Sequence, residues 1–135
     1  GNIGCAEALG SSFFLPSILE ELPGLSDGFR RDGSNADFKT LFEKFRSGES
    51  DAARVVEYCL DVWSAAVVNL EHAYDPETVV IGGGVMKSAD IILPYLRKKV
   101  NSLVWCPGEH SRIVAGELGD NAALLASEYY FDKKV

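Results

Sequence analysis

Three consecutive glycines, Gly82, Gly83 and Gly84, are the residues of this sequence whose type and spacing point most directly to a binding chemistry. Because glycine has no Cβ, such a run lets the backbone adopt positive φ and approach another group closely. That group is either a bound ligand or a packed helix. The β-favouring residues 78–81 come directly before the glycines and predict a buried strand that ends in a tight turn.

Two phosphate-binding motifs were compared with this turn. A P-loop reads G-x-x-x-x-G-K-[ST], but here Met86 precedes Lys87 and Ser88, so that motif fails. A dinucleotide fingerprint reads G-x-G-x-x-G, and Lys87 stands where close helix packing requires a small residue. This second motif matches weakly and stays open. The glycines therefore predict a flat backbone shelf for a nucleoside or a sugar, with a helix beginning beside it at Ser88.

Other chemically active side chains are dispersed along the sequence. Cys5, Cys59 and Cys106 form no CxxC pair, which argues against a disulfide framework and against a zinc site contained within this chain. No serine or cysteine nucleophile with a matching base is evident near His72. We interpret the following residues as structural: Cys59, Cys106, His72, His110, Trp63 and Trp105.

Composition narrows the class of protein. The chain has 135 residues, of which 47% are hydrophobic, as expected of one soluble domain with a core. Its net charge of -7 disfavours binding to nucleic acid or to an anionic membrane. No apolar run approaches the ~20 residues of a membrane span, so we expect a cytoplasmic location. The sequence begins within a glycine-rich turn, which suggests a piece of a longer protein.

Hydrophobic periodicity predicts the helices that position these residues. Helices are expected over about 37–45, 51–73 and 89–103, and a last one runs from Asp120 or Asn121 through Tyr129. The expected caps of the first three are Ser34 or Asn35, Ser50, and Ser88. The helix over 51–73 is apolar on two adjacent stripes and should be central to its layer. Residues 11–31 predict a short helix and loops.

The order of strand, helix and strand predicts the sheet. Residues 78–81 and 112–115 flank one helix, which implies a parallel pair with a right-handed crossover. Each strand ends in a glycine turn, at 82–84 and at 116–119, and ligands of open α/β sheets bind at that edge. The predicted fold class is α/β, with a parallel-strand core and packed helices.

Three segments resemble one known family. Residues 75–85, which read DPETVVIGGGV, resemble the glycine segment of the ROK family of repressors and sugar kinases. Residues 1–7 resemble the end of its cysteine-rich element, and residues 118–124 resemble its closing helix entry. The resemblance implies the actin-like ATPase (ribonuclease H-like) fold. It further implies that residues 1–135 are a single domain, the C-terminal lobe on the nucleotide side, with the N-terminal lobe missing.

The resemblance also implies roles for individual residues. The adenosine segment of the family is matched by Gly82, Gly83, Gly84 and Val85. Glu7 matches a glutamate that accepts hydrogen bonds from sugar hydroxyls, and Cys5 matches one thiolate of a structural zinc. The aspartate that acts as base and the D-x-G-x-T phosphate loop have no counterpart in these residues. No catalytic residue is therefore assigned, and the isolated chain is expected to be inactive.

The implied parent is an ATP-dependent hexose or aminosugar kinase that uses ATP and Mg²⁺ and holds a structural Zn²⁺. Its expected partners are a sugar and ATP, without nucleic acid or membrane. One alternative is a sugar-responsive repressor of the same family, and another is the dinucleotide-binding domain of an oxidoreductase. The apolar residues Phe13, Phe14 and Leu15 suggest that the chain also forms a homo-oligomer.

Overall fold

A computed structural model of the chain describes residues 4–32, 36–105 and 111–132. Its helices are α1 (Ala6–Gly10), α2 (Leu15–Glu21), α3 (Asp27–Asp32), α4 (Phe38–Arg46), α5 (Ser50–Tyr74), α6 (Ala89–Leu103) and α7 (Ala122–Asp132). Its strands are β1 (Thr78–Ile81) and β2 (Arg112–Ala115), and short 3₁₀ helices cover Gly84–Ser88 and Gly119–Asn121. Among the residues described, no helix is long and apolar enough to cross a membrane.

The two strands pair in parallel. Thr78 lies opposite Arg112 and Ile81 opposite Ala115, with α6 as the crossover between the strands. The predicted parallel α/β arrangement is therefore confirmed. Since parallel strands end at the same edge of a sheet, both glycine turns lie at that edge.

An arginine from the crossover helix holds the outer side of β2. The amide of Arg112 donates to the carbonyl of Glu77, so the backbone groups of Arg112 point toward β1. Successive residues of a strand direct these groups to opposite sides, and the carbonyl of Ile113 therefore points away from β1. Arg97 donates to that carbonyl from Nε at 3.0 Å and from Nη2 at 2.7 Å. The guanidinium thus ties α6 to the sheet and covers part of the β2 edge.

Helix α5 is the centre of the fold, as its two apolar stripes predict. Helices α1, α4 and α6 all pack against it. Its fully or nearly fully buried apolar residues are Ala52, Val55, Val56, Cys59, Leu60 and Val67. Burial raises the pKa of the Cys59 thiol to about 12, which agrees with a core position and not with a reactive thiolate.

The helix caps differ from those expected. Asp37 caps α4, because its Oδ1 accepts a hydrogen bond of 2.7 Å from the Thr40 amide; this bond also lowers the pKa of Asp37. The proposed caps at positions 34 and 35 lie outside the described residues. The cap assigned to Ser50 was wrong, because α5 already includes Ser50 and Glu49 takes the N-cap position. Ser88 does precede α6, but its side chain makes no capping bond.

Segment boundaries at both ends of the chain also differ from expectation. Residues 11–31 contain two helices, α2 and most of α3, instead of one short helix. The last helix begins at Ala122, after a 3₁₀ turn that includes Asn121. Leu15 is fully buried while Phe13 is 82% exposed, so Leu15 cannot contribute to the proposed self-association surface. Self-association through the two phenylalanines stays a prediction.

The interpretation of the aromatic residues as packing groups is confirmed for one tryptophan only. Trp63 donates from Nε1 to the Gly10 carbonyl at 2.8 Å and its ring lies 5.2 Å from that of Phe38. Trp105 is 77% exposed, and its ring lies 5.4 Å from the His72 ring at the end of α5, so it contacts that helix end at the surface and is not in the core. Cys106 and His110 lie outside the described residues.

Tyr95, on α6, has a raised pKa in the folded chain. The Tyr95 hydroxyl donates to Asp61 Oδ1 at 2.8 Å, and Lys99 Nζ lies 2.9 Å from the same oxygen. Burial, and then the Asp61 carboxylate, raise the pKa of Tyr95 to about 12 from an ordinary 10.0. Between these two values the unfolded chain releases the phenolic proton and the folded chain keeps it. This contribution to stability is therefore complete below pH 10 and is lost as the pH rises through 12.

Replacing Tyr95 with phenylalanine should make the alkaline loss of stability shallower. Between pH 10 and 12 the free energy of unfolding should fall in both proteins. The fall in Tyr95→Phe should be smaller than that in wild type by on the order of 1 kcal/mol, because solvent screens this partly exposed group. Urea unfolding at a series of pH values measures the difference. Tyr74→Phe is the matched control, because Tyr74 is 76% exposed. Equal slopes in Tyr95→Phe and wild type would contradict the assignment.

Candidate functional site

The turn after β1 needs glycine for a backbone reason at one position. Gly83 has φ 95° and ψ 170°, a conformation that a residue with a Cβ adopts only under strain. The Gly83 carbonyl accepts a 3.0 Å hydrogen bond from the Met86 amide, which opens the 3₁₀ helix Gly84–Ser88. The strand thus passes into α6 through a short, defined turn.

The space above the turn is open. A Cβ built on Gly82, Gly83 or Gly84 would meet no heavy atom within 4 Å. The sequence left open whether these glycines admit a ligand or a packed helix. In the part of the chain that the structure describes, no helix packs on them, so the glycine shelf (Gly82, Gly83, Gly84) is accessible to a ligand.

The two strand-end turns face each other across one cavity of about 550 Å³, which we call the glycine cavity. Its glycines are Gly82, Gly83, Gly84, Gly116 and Gly119, and its apolar residues are Val80, Met86, Leu118 and Ala122. The volume lies in the range of small-molecule sites in proteins, about 300–1,000 Å³. The edge where both strands end therefore has the size and the bare backbone that a nucleoside-sized ligand needs.

Among the described residues that line the glycine cavity, the ionisable ones are Lys87 and Glu117. Both side chains are exposed, and within the described residues neither makes a hydrogen bond or a salt bridge. None of the described lining residues is a Ser, Thr, Cys or His that could act as nucleophile or general base. What these residues offer a ligand is bare backbone, apolar contacts and two charges.

A second cavity of about 540 Å³, the polar cavity, lies on the α4 side of the turn. Gly84 and Lys87 line both cavities, whereas Val85 lines the polar cavity and not the glycine cavity. Other residues around the polar cavity are Ser12, Asp37, Phe38, Lys39, Phe42, Glu43, Arg46 and Ser88. Of the four residues predicted to bind adenosine, the three glycines are thus together in one cavity and Val85 faces another.

Arg46 links α4 to the segment that carries the glycine shelf. Its Nη2 donates to Asp90 at 2.9 Å and to the Oγ of buried Ser88 at 3.3 Å. An exposed ion pair of this kind stabilises a fold by little. Its consequence here is geometric, because it positions the start of α6 relative to α4.

Glu7 and Cys5 lie apart from the glycine shelf. Glu7 is in the first turn of α1, exposed, and Cys5 is the residue before that helix. Neither residue lines the glycine cavity or the polar cavity. The bond from Trp63 to Gly10 and the packing of α1 on α5 hold this helix in place.

The residues described do not form a zinc site. Over 4–32, 36–105 and 111–132 there is no group of three or more His, Cys, Asp or Glu side chains that could hold a metal ion. Cys5 is a free cysteine, and a single thiolate does not make the four-ligand shell of structural zinc. The roles of Cys5 in zinc binding and of Glu7 in sugar binding stay predictions.

Sequence reasoning missed several residues of the glycine cavity. Lys87 was considered only in the comparisons with the P-loop and the dinucleotide motif, and Glu117 in the second turn was not considered. Two glycines, Gly116 and Gly119, bracket Glu117 in the sequence, at the end of a strand parallel to the first. That bracket was the available signal, but it becomes specific only once the two turns are seen to face each other.

Comparison with known proteins adds sequence relatives. The model of the ROK family matches residues 1–133. The glucokinase of Thermotoga maritima is 27% identical over all of this chain and 44% of its own length. The bifunctional enzyme NanE/NanK of Brucella melitensis is 34% identical over 93% of this chain and 25% of its own length. The chain thus spans less than half the length of these relatives.

Solved structures agree with this relationship. A ROK family glucokinase from Streptomyces griseus, in complex with glucose and AMPPNP, matches 96% of this chain and 45% of its own, with a TM-score of 0.75 and 20% identity. The ROK hexokinase of Thermus thermophilus matches 97% of this chain and 42% of its own, with a TM-score of 0.67 and 24% identity. The fold is that of these sugar kinases, as the actin-like ATPase resemblance implied. With its family model matched over nearly its whole length, the chain belongs to the ROK family.

Proposed function

We propose that this chain is the C-terminal, nucleotide-side lobe of an ATP-dependent hexose or aminosugar kinase. The observation that carries the proposal is the open glycine shelf, above which no atom of the described chain lies within 4 Å of a Cβ position. The purine base of a nucleoside is flat, and a run of glycines lets the backbone approach it closely. The kinase names of the relatives and the AMPPNP in the Streptomyces griseus glucokinase structure support the same assignment.

In this proposal the adenosine lies on Gly82, Gly83 and Gly84, between the two turns. Val80, Met86 and Leu118 supply apolar contacts on the walls of the glycine cavity. Apolar walls with a few polar groups are typical of cofactor sites. The nucleotide enters as its Mg²⁺ complex, so the ion is part of the substrate.

The sugar is bound elsewhere in the proposed parent protein. Glu7, exposed at the start of α1, accepts hydrogen bonds from sugar hydroxyls through its carboxylate. Cys5 contributes one thiolate to a structural zinc only if other ligands come from outside the described residues, and no step of the reaction is assigned to that metal. The residues of this chain therefore bind and orient the substrates.

We further propose that the chain by itself does not catalyse phosphorylation of a sugar. Phosphoryl transfer depends on positioning and on stabilisation of charge at the transferred group, and it requires a base for the attacking hydroxyl. Among the residues whose side chains the structure describes, no Asp or His lines the glycine cavity. With glucose and MgATP, the purified 135-residue chain should form no sugar phosphate above background, and measurable turnover would contradict this part of the proposal.

Nucleotide binding tests the central claim. In an NMR titration of the ¹⁵N-labelled chain, ATP should shift the amides of the glycine shelf and of Gly116 and Gly119. Amides of α3, which lies outside the glycine cavity, serve as the internal reference. NADH is the comparison ligand, because a dinucleotide-binding domain would prefer it. Tighter binding of NADH than ATP, or no shifts with either, would overturn the proposal.

A further inference from the structure

Two ionisable residues among those described around the glycine cavity lie on opposite turns. Lys87 belongs to the 3₁₀ helix that follows the first turn, and Glu117 belongs to the second turn, between Gly116 and Gly119. Neither is neutralised by a partner among the described residues. The cavity therefore presents a cation from one side and an anion from the other, across an otherwise apolar and backbone lining.

Lys87 lies where the glycine cavity and the polar cavity meet. It lines both the glycine cavity and the polar cavity, as Gly84 does. The polar cavity beyond it contains two carboxylates, Asp37 and Glu43, and two further cations, Lys39 and Arg46. Arg46 is already paired with Asp90. An anionic group that leaves the glycine cavity therefore meets the Lys87 ammonium first, at the junction of the two cavities.

Glu117 offers a different chemistry. A carboxylate accepts hydrogen bonds and repels phosphate, so it suits a ligand part that carries hydroxyl donors. A carboxylate at the end of a strand, next to bare backbone, is also the arrangement with which α/β folds bind ribose hydroxyls. The two charges thus distinguish the two ends of a nucleotide.

Resting on the proposed function, we propose that Lys87 and Glu117 set the direction in which the nucleotide binds. Glu117 accepts hydrogen bonds from the ribose hydroxyls, and Lys87 binds the phosphates where the glycine cavity meets the polar cavity. Lys87 thereby directs the phosphates toward the α4 side of the turn, and Glu117 selects a ribonucleoside. Both are positioning residues for a ligand that the backbone of the shelf admits.

The test compares adenosine, ATP and 2′,3′-dideoxyadenosine as probes, with dissociation constants from NMR titration or calorimetry. Lys87→Gln should weaken the affinity for ATP by about tenfold, because a charge-assisted contact to phosphate is lost. It should change the affinity for adenosine by less than about twofold. Glu117→Gln should weaken the affinities for adenosine and for ATP by about fivefold each and leave the affinity for dideoxyadenosine unchanged. The controls are Lys98→Gln on α6 and Glu128→Gln on α7, exposed residues with the same changes of charge.

The outcomes separate this inference from the proposed function. If wild type binds adenosine and ATP but Lys87→Gln loses no more ATP affinity than Lys98→Gln, the role of Lys87 is wrong. If Glu117→Gln weakens dideoxyadenosine as much as adenosine, the role of Glu117 is wrong. If wild type binds none of the three probes, the proposed function fails and this inference fails with it.

Discussion

Valine in place of Gly83 is expected to abolish detectable ATP binding by this chain. The new side chain would occupy open space above the shelf, where a Cβ now meets nothing within 4 Å. Gly83 also has φ 95°, so a β-branched residue there adds strain of about 1–3 kcal/mol. Loss of binding in Gly83→Val would therefore combine occlusion of the site with a distorted turn.

Gly82→Val separates these two causes. Gly82 has the same open space, but its φ lies outside the positive range that strains other residues. We expect ATP affinity to fall by about 100-fold or more, equivalent to about 2.7 kcal/mol, with the fold retained. Calorimetry gives the affinity, and circular dichroism checks the fold.

Gly28→Val is the matched control for the shelf variants. Gly28 lies in α3, where a Cβ also meets nothing within 4 Å, and it lines neither the glycine cavity nor the polar cavity. Valine is a better helix former than glycine, so this change should not destabilise the chain. Equal ATP affinities of Gly82→Val and Gly28→Val would show that the shelf is not the nucleotide site.

Leu60→Ala should cause the largest loss of stability, about 2–5 kcal/mol, which is the usual effect of emptying a buried leucine site. Leu60 is 1% exposed in the middle of α5 and belongs to the main core cluster with residues of α2, α4 and α6. A loss of this size is a large fraction of the total stability of a domain, about 5–15 kcal/mol. Urea unfolding measures it directly.

Leu70→Ala, on the same helix, is the comparison. Leu70 is 43% exposed, so we expect a loss below about 1 kcal/mol from removing the same atoms. ATP affinity should stay unchanged in Leu60→Ala under conditions where it is folded, because Leu60 does not line the glycine cavity. Similar unfolding free energies for the two variants would contradict the central position of α5.

The fold was predictable where its signal is local. The apolar stripes of residues 51–73, the strand 78–81 and the order of strand, helix and strand all depend on neighbours a few positions away. Helix starts were less predictable, because several polar residues near each start can cap. Asp37 caps α4, in place of the residues further upstream that the sequence suggested. Helix α5 begins one residue earlier than expected.

The candidate site divides in the same way. The glycine run and its position after a parallel strand were evident in the sequence, and the structure places Gly82, Gly83 and Gly84 in one open cavity. The roles of Glu7 and Cys5 rested on family resemblance, and neither residue lines the glycine cavity or the polar cavity. Lys87 and Glu117 became candidates only through the cavity that both of them line.

By itself, the sequence determined a parallel β-α-β unit with a bare glycine turn, and a family that uses such a turn. Those features follow from φ/ψ preferences and from side-chain periodicity, both of which act within a few residues. Only the tertiary structure decided that no helix of the described chain covers the shelf, and that Arg46 reaches Ser88 and Asp90. It also decided that Glu117 faces the same space as Lys87. Contacts between residues tens of positions apart leave no local pattern, because they arise only when packing on α5 brings the elements together.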